Sequence, residues 1–368
     1  MKVLYITNLP SPYMVDFLNE FGKYCELTAI FERSSSTERN KSWDNYKFIH
    51  FNGIVLSGLK VKSDKAVSVG ILKHMDRKKY HHIIVANPCT PTGILVIEYM
   101  KLKKIPYILS SEGGFAKSGL GIKERFKKQL LANASLYFSS CELGDEYFLK
   151  YGAIKEKIVR IPYTTLYDKE ILKRVLTIEE KASLKLKLGF PLSFMLISVG
   201  RFIQSKGFDI LFKACKNLPD NIGICIIGGT PTEEYKEIIK KLNLKNIFFY
   251  DHLSKEELMK FYQAADLFVL PTRLDTWGLV IIEAMSNGLP VISTDKCVAA
   301  LSHIKNNENG FIAATEDVNE LESKIHYLIN QTDLRIDIAN NNIIKMRYYT
   351  IEEMVNIHMK TLTEYNRK

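Results

Sequence analysis

Short apolar runs alternate with amphipathic stretches along the chain, and most of the runs end in a turn-forming segment. In the first half, Lys2–Thr7 is an apolar, β-branched run that ends at Asn8–Pro12, and Tyr13–Phe21 has helical character. Alternation at this spacing predicts βαβ units and a parallel sheet with helices on its faces. Further predicted strands are Leu27–Phe31, His82–Ala86, Pro106–Ser110 and Ile158–Pro162, and further predicted helices are Thr92–Leu102 and Ile122–Ala132.

The same alternation resumes after a polar, charged stretch, Tyr163–Lys187, which we interpret as a linker. The predicted strands here are Phe194–Val199, Ile222–Ile227, Ile247–Tyr250, Leu267–Leu270 and Pro290–Ser293. The predicted helices are Phe208–Lys216, Thr232–Leu242, Lys255–Ala264 and Gly278–Ser286, and the chain is helical in character from Val318 onward. This pattern predicts an α/β protein of two doubly wound, Rossmann-like domains that face each other across a cleft. In open α/β sheets ligands bind at the carboxyl ends of the strands, so we expect the ligand site in that cleft.

Length and composition agree with that organisation. A chain of 368 residues suits about two domains, and we assign residues 1–170 to the first and 171–349 to the second. The hydrophobic share of 46% and the charged share of 25% exclude a disordered chain. No apolar run approaches the roughly 18 residues of a membrane span, and the six cysteines form no C-x-x-C pair. We therefore expect a cytoplasmic protein without a disulfide framework, zinc site or secretory leader.

The net charge of +10 is concentrated in the first half of the chain. Residues 1–170 carry 26 basic and 17 acidic residues, or +9, whereas residues 171–368 carry 25 and 24, or +1. The basic segments are Arg77–His82, Lys101–Lys104 and Ile122–Leu131. Without a helix-turn-helix, RNA-recognition or zinc-finger signature, nucleic acid is not expected as a partner. An anionic membrane surface or an acidic lipid-linked substrate, and simple solubility, remain alternative interpretations.

One candidate anion site lies at Ser198–Gly207, where a strand runs into Gly200 and a helix follows Gly207. Arg201 and Lys206 stand five residues apart around this strand end. A guanidinium supplies planar, bidentate donors and an ammonium supplies a point charge, and together they suit a diphosphate. Helix N-terminal amides after Ser205 would add donors. The alternative is an ordinary surface loop that carries two cations.

A second candidate segment, Pro271–Ile292, pairs two carboxylates with a helix start. We expect Thr276 to cap this helix, which leaves Asp275 in the preceding loop and Glu283 two turns into the helix. Helical side chains lean toward the helix N-terminus, so Glu283 would point toward whatever the first amides hold. Two carboxylates around a helix N-terminus suit a polyhydroxyl ligand that carries a phosphate. The alternative, a loop acid and an exposed helix acid, conflicts with the apolar run that precedes Glu283.

Together these segments resemble the retaining GT-B glycosyltransferases of family 4. The resemblance rests on G-R-F-x-x-x-K-G from Gly200 and on D-x-W-G-x-x-x-x-E-A-M-x-x-G-x-P-V-I from Asp275. It is strong over residues 195–313 and is architectural elsewhere. The family's E-x7-E motif is present with one departure, because its first position is Asp275, one methylene shorter than Glu.

The resemblance implies roles for individual residues on the donor side. Arg201 and Lys206 would clamp the donor diphosphate, Glu283 would accept the ribose hydroxyls, and Asp275 would contact the transferred sugar. Backbone groups around Tyr250–Leu253 would meet the base. The full donor-binding set is Gly200, Arg201, Lys206, His252, Asp275, Thr276, Trp277, Gly278, Leu279 and Glu283.

The resemblance extends less distinctly to the first half. Pro12 and Tyr13 lie in or beside the loop that would approach the acceptor. Many relatives carry a histidine after the strand that here runs into Ser110–Gly114, but this chain has none there. We substitute Glu112 beside Gly113, with Cys141 as a weaker neighbour; the alternative is a structural glutamate at a glycine-rich turn. The segment Tyr348–Tyr365, with Tyr349 and Thr350 capping a helix, resembles the family's C-terminal helix, so residues 350–368 would cross back to the first domain.

The implied function is retaining, metal-independent transfer of a sugar from a nucleotide-sugar donor, with UDP favoured, to a glycan or lipid-linked acceptor. The expected setting is surface-polysaccharide synthesis in the cytoplasm, at the inner face of the membrane. Asp275, Glu112, Arg201 and Lys206 are the candidate catalytic residues, and no cofactor or metal ligand set is expected because no clear D-x-D motif is present. The alternatives are a GT-B sugar-nucleotide epimerase and a non-enzymatic sugar-binding protein.

Overall fold

The computed structural model describes residues 1–34, 46–62, 65–116, 119 and 121–365. These residues divide into two compact units. Unit 1 comprises the described residues of Met1–Thr165 and Tyr349–Lys368, and unit 2 comprises Leu166–Tyr348. The predicted α/β class, with one parallel sheet in each of two doubly wound domains, is confirmed.

Unit 1 contains a parallel sheet of seven strands in the order β3-β2-β1-β6-β7-β8-β9. Its strands are β1 (Lys2–Thr7), β2 (Glu26–Phe31), β3 (Asn52–Val55), β6 (His82–Val85), β7 (Ile108–Ser111), β8 (Leu136–Ser139) and β9 (Ile158–Arg160). A separate antiparallel pair is formed by β4 (Leu59–Lys62) and β5 (Lys65–Val67). The order reverses between β1 and β6, which places a topological switch at the carboxyl end of β1.

The helices of unit 1 pack on this sheet and on one another. They are α1 (Pro12–Phe21), α2 (Pro91–Leu102), α3 (Ile122–Leu131), α4 (Glu142–Lys150) and α13 (Ile351–Tyr365). Thr350 begins α13 as expected, since its hydroxyl accepts the Glu353 amide hydrogen at 3.1 Å. The buried His358 of α13 packs its ring against Phe17 and Phe21 of α1, with ring centroids 5.1 and 5.5 Å apart. The returning helix is therefore part of the core of unit 1.

Unit 2 contains a parallel sheet of six strands in the order β12-β11-β10-β13-β14-β15. Its strands are β10 (Phe194–Val199), β11 (Ile222–Ile227), β12 (Ile247–Tyr250), β13 (Leu267–Leu270), β14 (Val291–Thr294) and β15 (Gly310–Ala313). Its helices are α5 (Ile178–Lys187), α6 (Phe208–Ala214), α7 (Glu233–Lys241), α8 (Lys255–Ala264), α9 (Leu279–Ser286), α10 (Val298–His303), α11 (Val318–Asn330) and α12 (Thr332–Met346). Helix α6 packs against α7 and α11, and helix α5 packs against α8. Helix α9 packs against α8, α10 and α12.

The structure departs from the prediction around the division between the units. The described chain enters unit 2 at Leu166 instead of residue 171. Within that difference, the carboxylate of Glu170 pairs with Lys255 of α8 at 2.7 Å. The stretch interpreted as a linker also contains α5. That helix begins at a capping box in which Thr177 and Glu180 satisfy each other's backbone amides. Strands β3, β4, β5, β8 and β15 and helices α4 and α10 were not predicted. These strands and α10 have only three to six residues each.

Candidate functional site

The strand order of unit 2 reverses between β10 and β13, which are neighbours at the centre of the sheet. Loops that leave the carboxyl ends of strands at such a reversal form the ligand crevice of open α/β sheets. Gly200 and Arg201 directly follow β10, and Asp275 lies on the segment between β13 and α9. The structure thus brings the two sequence segments singled out above to one edge of one sheet.

Glycines allow the backbone to pack closely at this edge. A Cβ atom on Gly228, which follows β11, would lie 2.3 Å from the carbonyl oxygen of Gly200. A Cβ atom on Gly207 would lie 2.0 Å from the carbonyl oxygen of Pro271. Both residues also have positive φ, 135° and 70°, which favours glycine. Sequence analysis missed Gly228, although a Gly-Gly pair directly after a strand is a signal for close approach of the backbone.

Lys206 and Asp275 form an ion pair at the switch point. Lys206 ends a short 3-10 turn, and its aliphatic chain lies over Gly200. Its Nζ atom is 2.6 Å from Oδ2 of Asp275, and the two side chains are only 19% and 15% exposed. Arg201 is exposed at the same strand end. The edge therefore presents two cations and one carboxylate, an arrangement suited to a ligand with both phosphate and hydroxyl groups.

The predicted cap of α9 is wrong. The N-cap is Gly278, with a φ of 96°, and the exposed Thr276 lies in the preceding turn. A side chain cannot easily replace the hydrogen of Gly278, since a Cβ atom there would lie 2.6 Å from Sγ of Cys297. Asp275 takes part in the turn instead, because its Oδ1 accepts the Trp277 amide hydrogen at 3.3 Å. The chain thus enters α9 through a left-handed glycine, with no side-chain cap on the first turn.

Trp277 fixes this turn from inside the unit. Its side chain is buried, and its ring packs edge-on against His303 of α10 at 5.9 Å between centroids. Its carbonyl oxygen accepts hydrogen bonds from the Ala299 amide at 2.7 Å and from Sγ of Cys297 at 3.3 Å. Burial lowers the pKa of His303 to about 3, so this imidazole is neutral. The amides of Trp277, Gly278 and Leu279 are therefore carried on a turn that is held by α10.

Glu283 lies on α9 with one carboxylate oxygen held by a buried tyrosine. The hydroxyl of Tyr262 donates to Oε2 of Glu283 at 3.1 Å. Burial, and secondarily the charge of Glu283, raises the pKa of Tyr262 well above its usual range, so this hydroxyl stays protonated and donating. The Glu283 side chain is half-buried. A positioned carboxylate of this kind can accept hydrogen bonds from ligand hydroxyls.

His252 is exposed in the loop after β12, the edge strand of the sheet. A Cβ atom on Gly229 would lie 3.9 Å from Nε2 of His252, so the loops after β11 and β12 are adjacent. The His252 amide donates to Oδ1 of Asp251 at 2.8 Å. His252 therefore lies on the β11 side of the switch point, whereas Asp275 lies on the β13 side.

Arg273 is a nearby cation that has a structural role. Its guanidinium pairs with both carboxylate oxygens of Asp209 on α6, at 2.8 Å each, and also with Glu316. These carboxylates raise the pKa of Arg273 above its usual range. Two acids thus engage this side chain, which ties the segment after β13 to α6.

In unit 1, the strand ends carry the acceptor-side candidates. Glu112 follows β7, and its carbonyl oxygen accepts from the Ser140 hydroxyl at 2.7 Å, which brings it beside the buried Cys141. Burial first, and then the charge of Glu112, raises the pKa of Tyr163 well above its usual range. Gly113, with a φ of 120°, makes the turn after Glu112. The structure therefore brings Glu112, Gly113 and Cys141 together.

Pro12 and Tyr13 lie at the start of α1, directly after the loop that follows β1. Pro12 is the first helical residue and is exposed, and Tyr13 is half-buried. Proline suits this position because it has no amide hydrogen, and an amide hydrogen in the first helical turn would have no acceptor within the helix. Both residues are carried by the loop at the carboxyl end of β1, which is the topological switch of this sheet.

Sequence analysis missed a polar cluster at the switch point of unit 1. Oδ1 of Asn87, after β6, accepts from the Asn8 amide at 2.8 Å and the Thr7 hydroxyl at 2.9 Å. Beside it, the hydroxyl of Thr90 donates to Oε1 of the buried Glu32 at 2.5 Å. Burial raises the pKa of Glu32 to about 7, against the opposing effect of this hydrogen bond. Asn-Pro after an apolar run was the available signal for the turn.

The apolar residues of helix α3 divide between the core and the surface. Leu130 and Leu131 are buried in the core of unit 1. Lys127 lies over the rings of Tyr147 and Tyr151, 4.7 Å from each centroid. Ile122 and Phe126 remain 88% and 47% exposed and are flanked by the exposed Lys123 and Arg125.

Within the described ranges, no three His, Cys, Asp or Glu side chains are grouped to hold a metal ion. No helix in the same ranges has the length and apolar character to cross a membrane.

Comparison with known proteins gives matches for most of unit 2 and for the fold of the chain. Residues 185–345 match the family model described as glycosyl transferases group 1. CapM of Staphylococcus aureus, a capsular polysaccharide biosynthesis glycosyltransferase, is 32% identical over 155 residues, 40% of each chain. An N-acetylgalactosaminyltransferase of Campylobacter jejuni is 23% identical over 285 residues, 72% of this chain and 74% of its own. For three of the curated relatives, the matched segment spans only 40% to 46% of their length.

The similarity of structure extends over the whole chain. HepE of Anabaena, solved in complex with UDP, superposes with a TM-score of 0.79 at 18% identity, covering 99% of this chain and all of HepE. At that identity the likeness establishes the fold. Residues 185–345 therefore match the glycosyl transferases group 1 model, and the chain as a whole has the GT-B fold.

Proposed function

We propose that the protein is a glycosyltransferase that moves a sugar from a nucleotide-sugar donor to a glycan or lipid-linked acceptor in surface-polysaccharide synthesis. The observation that carries this proposal is the Lys206–Asp275 ion pair at the switch point of unit 2, inside the segment that matches the family model. The names of the relatives support the setting: CapM acts in capsular polysaccharide biosynthesis, and TuaC of Bacillus subtilis is named for teichuronic acid biosynthesis.

For the donor we favour a UDP-sugar. HepE was solved with UDP and with UDP-glucose, which supports the same base here. Arg201 and Lys206 would offset the charge of the diphosphate, and Glu283, whose carboxylate is positioned by Tyr262, would accept the ribose hydroxyls. Asp275 would contact the transferred sugar. Gly200, Thr276 and the amides of Trp277, Gly278 and Leu279 would line the pocket, and His252 would lie near the base.

We propose retention of configuration without a metal ion. Arg201, Lys206 and the amino end of α9 would stabilise the departing diphosphate, the task that a divalent cation performs in metal-dependent enzymes. The bond between the anomeric carbon and the diphosphate oxygen would break as the acceptor hydroxyl attacks the same face. The acceptor proton would then pass to the departing phosphate oxygen, so no side-chain nucleophile is required.

On the acceptor side, Pro12, Tyr13, Glu112 and Gly113 are the proposed contacts. The name of the C. jejuni relative describes a diphospho-undecaprenol-linked substrate, which supports a lipid-linked acceptor. The exposed pair Ile122 and Phe126, flanked by Lys123 and Arg125, would then rest on an anionic membrane. We therefore propose that the protein acts in the cytoplasm, at the inner face of the cell membrane.

The function is tested by binding and turnover of the full chain. We expect UDP to raise the melting temperature more than GDP or ADP, because a ligand at 100 times its dissociation constant adds roughly 2.7 kcal/mol to stability. With a UDP-sugar and an undecaprenyl-diphosphate-linked sugar, UDP release should depend on both substrates. Release that needs no acceptor, or an absence of stabilisation by any nucleotide, would contradict the proposal.

A further inference from the structure

Unit 2 contains a cavity at the amino ends of its strands, whereas the proposed donor site lies at their carboxyl ends. The cavity has a volume of about 380 Å³ and lies between the first turns of α5 and α12. Asp266, which directly precedes β13, and Pro290, which directly precedes β14, belong to its lining. The volume falls at the lower end of the roughly 300–1,000 Å³ that is typical of small-molecule sites. A ligand here would therefore lie at the amino ends of the strands.

Two cations line this cavity beside one carboxylate that is already paired. Lys181 donates to the carbonyl oxygen of Ala265 at 2.7 Å, and Arg335 donates to that of Ile329 at 2.6 Å. Asp266 also lines the cavity, but its Oδ2 lies 2.5 Å from Nζ of Lys185 and accepts the Met195 amide at 2.8 Å. Lys181 and Arg335 thus contact neutral carbonyl groups, and positive charge exceeds negative charge in the interior of the site.

The electrostatic state of Lys181 agrees with this excess. Burial lowers the pKa of Lys181 to about 8; Asp266 opposes the shift, whereas Lys185 and Arg335 add to it. Glu179 also lines the cavity but is exposed at its rim. The first turn of α12 has no side-chain cap, and its amides add partial positive charge near Arg335. An anion in the cavity would offset this charge.

Most of the remaining lining is apolar, and part of it is exposed. Ile178 on α5 is 67% exposed and Ile336 on α12 is 42% exposed, so two large aliphatic side chains flank the mouth. The other apolar lining residues are Val175, Leu176, Pro290 and Ala339. A ligand that matches the whole site carries one anionic group and an aliphatic body.

We propose that this cavity binds a small aliphatic carboxylate, with its carboxylate group toward Lys181 and Arg335 and its alkyl chain between Ile178 and Ile336. Lys181, Arg335 and the adjoining Lys185 exceed the carboxylates of Asp266 and Glu179 by one positive charge, which suits a ligand with a single negative charge. This cavity is separate from the carboxyl ends of the strands, where Lys206 and Asp275 lie. It should therefore bind the carboxylate independently of a nucleotide.

The test is calorimetric titration of the full chain with octanoate, with neutral octanamide as the matched probe. We expect saturable binding of one octanoate, at least about tenfold tighter than octanamide, as charge-assisted hydrogen bonds require. Saturating UDP should leave the octanoate affinity unchanged. Equal affinity for the two probes, an absence of binding, or competition by UDP would overturn the proposal. None of these results depends on whether sugar transfer occurs.

Variants at exposed positions keep the test independent of folding. Ile336→Glu places a carboxylate at the mouth and should weaken octanoate binding at least about tenfold through charge repulsion. Ile344→Glu is the matched control, because Ile344 is on the same helix, is 55% exposed and is not part of the lining. Arg335→Gln should also abolish the preference for octanoate over octanamide. Because Arg335 also donates to carbonyl groups at the end of α11, this variant loses a structural contact as well. Equal octanoate affinity of the two isoleucine variants would contradict the proposed site.

Discussion

The ammonium group of Lys206 and the carboxylate of Asp275 lie 2.6 Å apart, although 69 residues separate them in the sequence. Two loops from neighbouring strands supply the pair, and each side chain is less than one-fifth exposed. The positive charge of Lys206 is therefore shared with Asp275 before any ligand arrives. Removal of either partner should change the other's interaction with a phosphate or sugar.

The first prediction concerns Asp275→Asn. This change releases Lys206 from its ion pair, so affinity for UDP should be equal to or greater than that of the wild type. Turnover should fall at least about tenfold, because the carboxylate proposed to contact the transferred sugar is lost. Calorimetry with UDP and a UDP-release assay measure the two effects separately. A large loss of UDP affinity would assign Asp275 to the nucleotide instead of the sugar.

Glu283→Gln should act on nucleotide binding. The substitution keeps the shape of the side chain but removes the charge from its hydrogen bonds to ribose hydroxyls, which are worth about 1.5–3 kcal/mol. UDP affinity should therefore fall by roughly 10- to 150-fold, with the melting temperature of the free protein little changed. Glu256→Gln, at an exposed glutamate on α8, is the control and should bind UDP normally. Unchanged UDP affinity in Glu283→Gln would remove Glu283 from the donor site.

Metal dependence is the third prediction. With the diphosphate charge met by Arg201, Lys206 and the amino end of α9, sugar transfer should survive incubation with EDTA. Turnover is measured with and without chelator and then after addition of Mn²⁺ or Mg²⁺. Loss of activity that either ion restores would show that a carboxylate site for a cation takes part.

Glu32 should make unit 1 less stable as the pH rises. Its pKa is about 7 in the folded protein and near 4.5 when exposed, so its contribution is fully present below pH 4.5 and is lost by about pH 7. Glu32→Gln imitates the protonated form and should be more stable than the wild type at pH 8, by up to roughly 3 kcal/mol. Thermal unfolding between pH 5 and 8 measures this. The control is Glu26→Gln, at an exposed carboxylate on β2, the strand that directly precedes Glu32. A similar gain there would reject the assignment.

Membrane binding should depend on α3. Reversing charge with Lys123→Glu and Arg125→Glu should weaken sedimentation with anionic liposomes by at least about 30-fold, at roughly 1 kcal/mol per basic residue near such a surface. The matched control reverses Lys240 and Lys241, which are exposed on α7 of unit 2. Equal binding of both variants, or equal binding of the wild type to neutral vesicles, would exclude α3 as the contact.

The sequence was most informative where burial dictates a simple pattern. The bounds of β10, β11, β12 and β13 agree with the prediction to the residue, because each is a short apolar run between polar turns. Local turn chemistry was harder to predict. Thr276 is a favourable capping residue, yet the N-cap of α9 is Gly278, where Cys297 occupies the space that a side chain would need. That contact comes from a residue almost twenty positions later in the chain.

The candidate site was predictable in the same uneven way. Asp275 and Lys206 could be singled out from loops beside predicted strands, but their direct contact depends on which strands are neighbours. The cluster of Glu32, Thr90 and Asn87 joins the ends of two strands that are not adjacent along the chain. Only the sheet order of unit 1 reveals it. The extent of burial, which sets the pKa of Glu32, likewise follows from tertiary packing.

Helix α13 completes unit 1 with residues synthesised after the whole of unit 2. His358 packs among Phe17, Phe21 and Phe138, so the core of unit 1 lacks this ring until the ribosome has passed Leu166–Tyr348. Unit 2 has its complete sequence earlier and is able to fold first, since domains generally fold as units during translation. The unit that emerges first from the ribosome is therefore the last to be finished.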